Sequence, residues 1–168
     1  MLRECPDHPG WHEWRVPGAF NREVIGRLLV RDEGGGTVRT RIFPAPLMGN
    51  VHGAIHGGIV SAFADASLFA GPGILTGQDL ARSVTVELSV QFAGVGSMTD
   101  PLDGLVSIVR ETGRMIFVQG RIVQGDNVVA GFSGIIRKIA RSRARSKRAR
   151  RADRPCCPRR RTGPTARR

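Results

Sequence analysis

Tyrosine is absent from this 168-residue chain, and the remaining aromatics are sparse: seven phenylalanines and two tryptophans. The shortage is complete between residues 141 and 168, RSRARSKRARRADRPCCPRRRTGPTARR, which also lacks Leu, Ile, Val and Met. Such a segment buries too little apolar surface to offset the entropy of ordering it, so a disordered tail is expected there. Without aromatics to stack on bases, it reads first as a solvated extension; nucleic acid or an anionic surface would be a partner only through this tail. The cysteines, Cys5, Cys156 and Cys157, are odd in number, and two are adjacent. That excludes a disulfide framework and suits a reducing compartment. The N-terminus has no apolar core of a signal peptide, and no uninterrupted apolar run reaches membrane-spanning length. A cytoplasmic protein without membrane insertion is therefore expected. Phosphate-cradling and dinucleotide-binding glycine fingerprints are also missing. The spaced pairs His8/His12 and His52/His56 lack a further ligand, so neither metal nor cofactor is expected.

Acidic residues are scarce in one place only. The net charge is +12, yet residues 1–140 hold 13 Lys/Arg against 13 Asp/Glu. The other 13 Lys/Arg stand in the tail beside Asp153 alone. The body is thus electrically neutral. Three parts follow: an N-terminal arm (1–19), a folded domain (20–140) and the Arg-rich tail (141–168).

The arm is polar and proline-punctuated, with Trp11, Trp14 and Phe20 available to pin it to the body. Runs 25–31 and 37–43 are β-rich and flank a DEGGG turn, which predicts a hairpin. A Pro/Gly-rich loop leads into a strongly apolar stretch predicted as a helix over 57–70, ended by Gly71-Pro72-Gly73. Four strand-like segments follow, separated by turns at 111–113 and 125–127. A helix apolar on nearly every side must be buried on most faces. An antiparallel sheet wrapped around one long central helix, an α+β plan, meets that demand.

The chemistry concentrates in NVHGAIHGGIVSAFAD, Asn50 to Asp65. Gly57-Gly58 falls at the expected helix N-terminus, where free N–H groups and the helix dipole suit a developing oxyanion. A sterically required Gly-Gly turn would read the same way. Asp65 lies among Ile59, Val60, Phe63, Leu68 and Phe69, where a carboxylate is costly unless paired or used. Gly57 and Asp65 are eight residues apart, about 12 Å along one helix. One chain cannot aim both at a single carbon. If both are catalytic, Asp65 comes from a second subunit, and a homo-oligomer with shared sites follows.

These residues carry a resemblance. Asn50, Gly53, His56-Gly57-Gly58 and Asp65 resemble the motif of the phenylacetate-type (PaaI-like) hotdog-fold acyl-CoA thioesterases, and the likeness extends over roughly residues 20–139. It implies a hotdog fold, an acyl-CoA partner, a homodimer or homotetramer, and thioester hydrolysis to a free acid and CoA. By the same resemblance, the Gly57 N–H polarises the thioester carbonyl and Asn50 positions the water or thioester. His56 supports that site, and the partner's Asp65 acts as general base or nucleophile. Thr85, with Ser83 as its nearby substitute, matches a hydroxyl placed near the Asp. Gly58 and Ser83 would then touch substrate, and surface arginines such as Arg82, Arg110 and Arg114 would meet CoA phosphates; ordinary solvated arginines fit as well.

Two other readings stand beside this one. A non-catalytic acyl-CoA-binding hotdog module would need neither Asp65 nor Asn50. A hotdog dehydratase or hydratase fits poorly: FPAPLMGN has the look of a dehydratase loop, but Ile42 stands where its histidine would be, and the helix lacks the Glu.

Overall fold

The segment GGIVSAFADASLFAGPGILT carries one charged side chain, Asp65, in twenty residues, and it forms a single helix, α1 (Gly57–Thr76). In the computed structural model, which describes residues 2–15 and 18–139, nearly the whole core is built on it. Phe63, Ala64 and Leu68 are fully buried, and Ile59 and Val60 nearly so. The Arg-rich tail lies outside the described residues.

Eight antiparallel strands enclose this helix: β1 (Leu2–Glu4), β2 (His12–Trp14), β3 (Leu29–Gly34), β4 (Thr37–Ile42), β5 (Val84–Phe92), β6 (Leu102–Glu111), β7 (Met115–Gln124) and β8 (Asn127–Arg137). Their order across the sheet is β1-β2-β3-β4-β6-β7-β8-β5. Alternate residues face α1, so Val38, Thr40 and Ile42 on β4 are buried, as are Ile116 and Val118 on β7. The strand that follows the helix, β5, crosses to the far edge, where it pairs only with β8. This is the expected sheet around one helix.

The helix end differs from the expectation. Instead of stopping at residue 70, α1 runs through Gly71-Pro72-Gly73 to Thr76, and Gly77 in the left-handed conformation ends it. Packing explains the extension. A Cβ on Gly71 would lie 2.6 Å from the Val106 side chain, and one on Gly73 would run into the Trp14 ring. These glycines are close-approach positions, not breakers, and the buried Pro72 forfeits one backbone bond inside a helix held from outside. At this length α1 is also long and apolar enough to cross a membrane, contrary to the expectation of no such run. Here half of it is buried within the protein, as befits a core helix.

The first hairpin strand begins later than expected. Residues Asn21–Ile25 form a π-helical turn, and β3 starts at Leu29. The DEGGG turn is as anticipated, with Gly34, Gly35 and Gly36 all at positive φ. The arm is more ordered than its polarity suggests, because β1 and β2 extend the sheet past β3. Its two tryptophans grip opposite sides. Trp14 meets α1 at Gly73, while on the other face of the sheet the guanidinium carbons of Arg31 and Arg41 approach the Trp11 ring, 4.6 and 4.5 Å from its centre. Arg41 in turn makes a bidentate pair with Asp103 at 2.6 and 2.7 Å, which Arg39 joins at 3.0 Å. Phe20, the third aromatic expected to pin the arm, is largely exposed.

Gly71→Ala tests the continuous helix. Alanine gains about 1 kcal/mol of helix propensity, but forcing a methyl against Val106 costs about 1–3 kcal/mol. The net expectation is a lower midpoint in urea; a higher one would mean that the helix leaves Val106 at this point.

Candidate active site

The loop before α1 is built by Asn50. Its side-chain oxygen accepts the His52 and Ala54 N–H groups at 2.8 and 3.1 Å, and its backbone N–H donates to the Ala54 carbonyl. Gly53 completes the turn at φ +74°. The Asn50 oxygen is therefore committed to the loop, while its amide nitrogen has no partner among the described residues. Ile55 ties this loop to the β5–β6 connection through the Gly96 carbonyl.

His56 caps the helix. Its Nδ1 accepts the Gly58 N–H at 2.9 Å, and the residue is otherwise exposed. Gly58 is thereby occupied, and its candidate role as a substrate contact does not follow from this geometry. Gly57 differs: its N–H has no acceptor among the described residues, and it points from the first turn of a twenty-residue helix. The Phe92 ring lies over this glycine, close enough for a Cβ there to touch it at 3.4 Å. Phe92 was not legible as a neighbour, because thirty-five residues separate it from Gly57 in sequence.

Asp65 faces β5. Thr85 Oγ1 donates to its carboxylate at 2.6 Å, the pairing that the resemblance implied. A bulge between Thr85 and Glu87 adjusts the strand at this point. The carboxylate is not sealed in the core, as its apolar neighbours in sequence suggested. Asp65 is half-buried, because it lies on the side of α1 that looks out past an edge strand. Thr85 itself is exposed.

Within one chain these candidates form two separate groups. Asn50, His56 and Gly57 stand at the helix N-terminus, near the end of β5; Asp65 and Thr85 stand near its beginning. Ser83 does not replace Thr85 on Asp65; with Arg114 it lines a separate cleft, together with Arg137 and Lys138, two residues absent from the candidates. Arg82 and Arg110 are exposed and do not line it. The missed pair owes its position to cross-strand register, to which local patterning is blind. Among the described residues no three His, Cys, Asp or Glu side chains gather as a metal site.

His56→Ala removes the cap and should lower stability by about 0.5–2 kcal/mol, whereas His56→Asn, a good capping residue, should hold most of it. Chemical denaturation separates the two; equal losses would show that the imidazole contributes packing and not a cap.

No protein-family model and no curated protein sequence matches the chain. Solved structures do. A conserved protein of Pseudomonas aeruginosa is similar at TM-score 0.62 and 21% identity, covering 74% of this chain and 96% of its own. The Escherichia coli PaaI protein of the phenylacetic acid degradation operon is similar at TM-score 0.59 and 18% identity, covering 71% and 83%. A hypothetical thioesterase of Streptococcus pneumoniae, solved with coenzyme A, is similar at TM-score 0.57 and 18% identity, covering 67% and 85%. At these identities the likeness concerns architecture, and it agrees with the strand order and central helix described above: the chain has the hotdog fold, in the form found in PaaI and thioesterase-superfamily proteins.

Proposed function

We propose that the chain is an acyl-CoA thioesterase whose active site is completed between two copies. The observation that carries this reading is the position of the half-sites at opposite ends of one open edge. Among the described residues no strand lies beyond β5, and Val84, Val86 and Phe92 on it are 46%, 53% and 57% exposed. Nine residues of unpaired edge invite another strand. If two copies pair antiparallel along β5, the Phe92 end of one meets the Thr85 end of the other. Gly57 then approaches the partner's Asp65, and each pair of chains acquires two equivalent sites.

The chemistry uses groups left unspent by the fold. The Gly57 N–H, with the helix dipole behind it, receives the thioester oxygen as negative charge develops there. Asp65, oriented by Thr85, takes a proton from the attacking water, and the Asn50 amide nitrogen steadies that water or the thioester. The tetrahedral intermediate collapses with cleavage of the C–S bond. The proton held by Asp65 passes to the departing thiolate, leaving a carboxylic acid and a thiol. A thioester is electrophilic enough for one carboxylate and one oxyanion donor to suffice. CoA bound in a structure of the same fold supports the substrate class.

Thiol release from a panel of acyl-CoA substrates is the direct test. Asp65→Ala should lower kcat/KM by about 10²–10⁴-fold with the fold and oligomer retained. A variant as active as the wild type, or a panel left wholly uncleaved, would sink the proposal, and CoA binding without turnover would favour the non-catalytic module.

Shared sites make a second prediction. Asp65→Ala and Gly57→Val should each be inactive alone. Co-expressed, they form mixed pairs with one intact site, and activity should return to about a quarter of wild type for random pairing. No recovery, with mixed pairs verified by native mass spectrometry, would confine each site to a single chain.

A further inference from the structure

The hairpin turn between β7 and β8 reaches back to grip the segment that joins β5 to β6. Gln124 ends β7 and Asn127 opens β8; they stand opposite each other in the register, and Gly125 turns between them at φ +56°. Gln124 is only 9% exposed, yet each polar atom of its side chain is spent, and all on that one segment. Its Oε1 accepts the Ser97 N–H at 2.6 Å, and its Nε2 donates to the Ser97 and Asp100 carbonyls at 2.9 and 2.8 Å. From the exposed side, Asn127 Nδ2 donates to the Val95 carbonyl at 2.9 Å. The Ala93 and Gly94 N–H groups share the Val129 carbonyl at 2.9 and 3.0 Å. The connection is thus fixed along its length, and Gln124 holds its far half.

What this connection carries is the lead-in to α1. The Gly96 carbonyl accepts the Ile55 N–H at 2.8 Å, and Ser97 bridges to Ala54. Gly96 is buried, and a Cβ on it would crowd the Ile55 side chain at 3.2 Å, so the two segments lie about as close as a glycine permits. Across the loop, the His56 N–H donates to the Met48 carbonyl at 2.8 Å. Gly57 and its unspent N–H follow directly. From the Gln124 amide the path therefore runs through Ser97, Gly96, Ile55 and His56 to Gly57, with no link longer than a peptide unit or one hydrogen bond. As filler, a buried amide is a costly choice, because an apolar side chain of the same size needs no partners. Its value lies in direction. An oxyanion donor counts most when its aim is set before charge develops, and a displacement near 1 Å costs about 10²-fold in rate.

Building on the thioesterase reading, we infer that Gln124 is a positioning residue for the oxyanion site: by clasping the β5–β6 connection it holds the lead-in loop, and so fixes the aim of the Gly57 N–H. It acts through backbone alone and makes no bond to Gly57 itself. The same connection begins at Phe92, whose ring lies over Gly57, so one amide steadies both the donor and the ring beside it.

The experiment uses the full-length chain with Gln124→Met, which keeps the size of the side chain and removes its three bonds. In thiol release from an acyl-CoA, kcat should fall about tenfold or more while KM stays within about twofold, since a misaimed donor is missed chiefly in the transition state. Gly71→Ala, a change in the core of α1 away from this connection, controls for lost stability and should keep kcat within about twofold of wild type. Amide hydrogen exchange reads the geometry without catalysis. In Gln124→Met the Ile55 amide should exchange about tenfold or more faster, and the Leu68 amide, which reports opening of the whole core, should change far less. An Ile55 rate that is unchanged, or raised no more than that of Leu68, overturns the inference. So does a kcat loss shared by Gly71→Ala, or a loss confined to KM. Selective release of Ile55 with no thioester cleaved by either wild type or variant would support the clasp on the lead-in loop and defeat only the thioesterase reading.

Discussion

A twenty-residue helix with one charged side chain has little surface that it can leave in water. Burial of Phe63, Leu68 and their neighbours on α1 is the constraint to which the other elements answer. The sheet must wrap far enough to cover the helix, so its inner face is aliphatic, and glycines or small residues stand where the helix comes closest. It cannot wrap completely, because β5 ends the sheet on one side. The helix flank beneath that edge is where Asp65 remains accessible. Core formation and site formation are thus one event: the sheet that shelters the apolar face of α1 stops at its polar residue.

Much of this was legible beforehand, and the reasons differ by element. Four strands after the helix show clearly, because each alternates and each ends at a polar or glycine turn. Asn50, Gly53, His56, Gly57 and Asp65 lie within sixteen residues, so their motif survives as a linear pattern; Thr85, twenty residues past Asp65, was reached only through the family resemblance. The helix terminus was misjudged because Gly71-Pro72-Gly73 is locally a stop signal, overruled by contacts with Val106 and Trp14 that come from other parts of the chain. The burial of Asp65 was overestimated for a related reason. Apolar neighbours in sequence do not reveal that one side of the helix looks out past an edge strand. Phe92 over Gly57, and Arg137 beside Met115, arise from tertiary packing and strand register and leave no local trace.

The outer face of the sheet has a small core of its own. Cys5, Trp11 and Leu29 are buried together, with Phe43 against them, and Arg31 and Arg41 close over Trp11. The Arg41–Asp103 pair links this cluster from β4 to β6. Charged side chains thereby serve as walls for an aromatic ring on a face that would otherwise be wet, their aliphatic stems covering apolar surface while their heads stay hydrogen-bonded. The arm that supplies Trp11 also supplies Trp14 to the inner face, so it is anchored through the sheet from both sides.

That arm alters the combining capacity of the sheet. Without β1 and β2, the sheet would have long open borders at both β3 and β5, and a ribbon with two reactive borders can add copies without end. With them, the β3 side terminates in a three-residue strand too short to template much of anything, and β5 is the single long border among the described residues. A subunit with a valence of one can join a second and is then saturated. If copies pair along β5 as proposed, growth stops at the closed pair, and the arm at the opposite end of the sheet is what keeps the association finite.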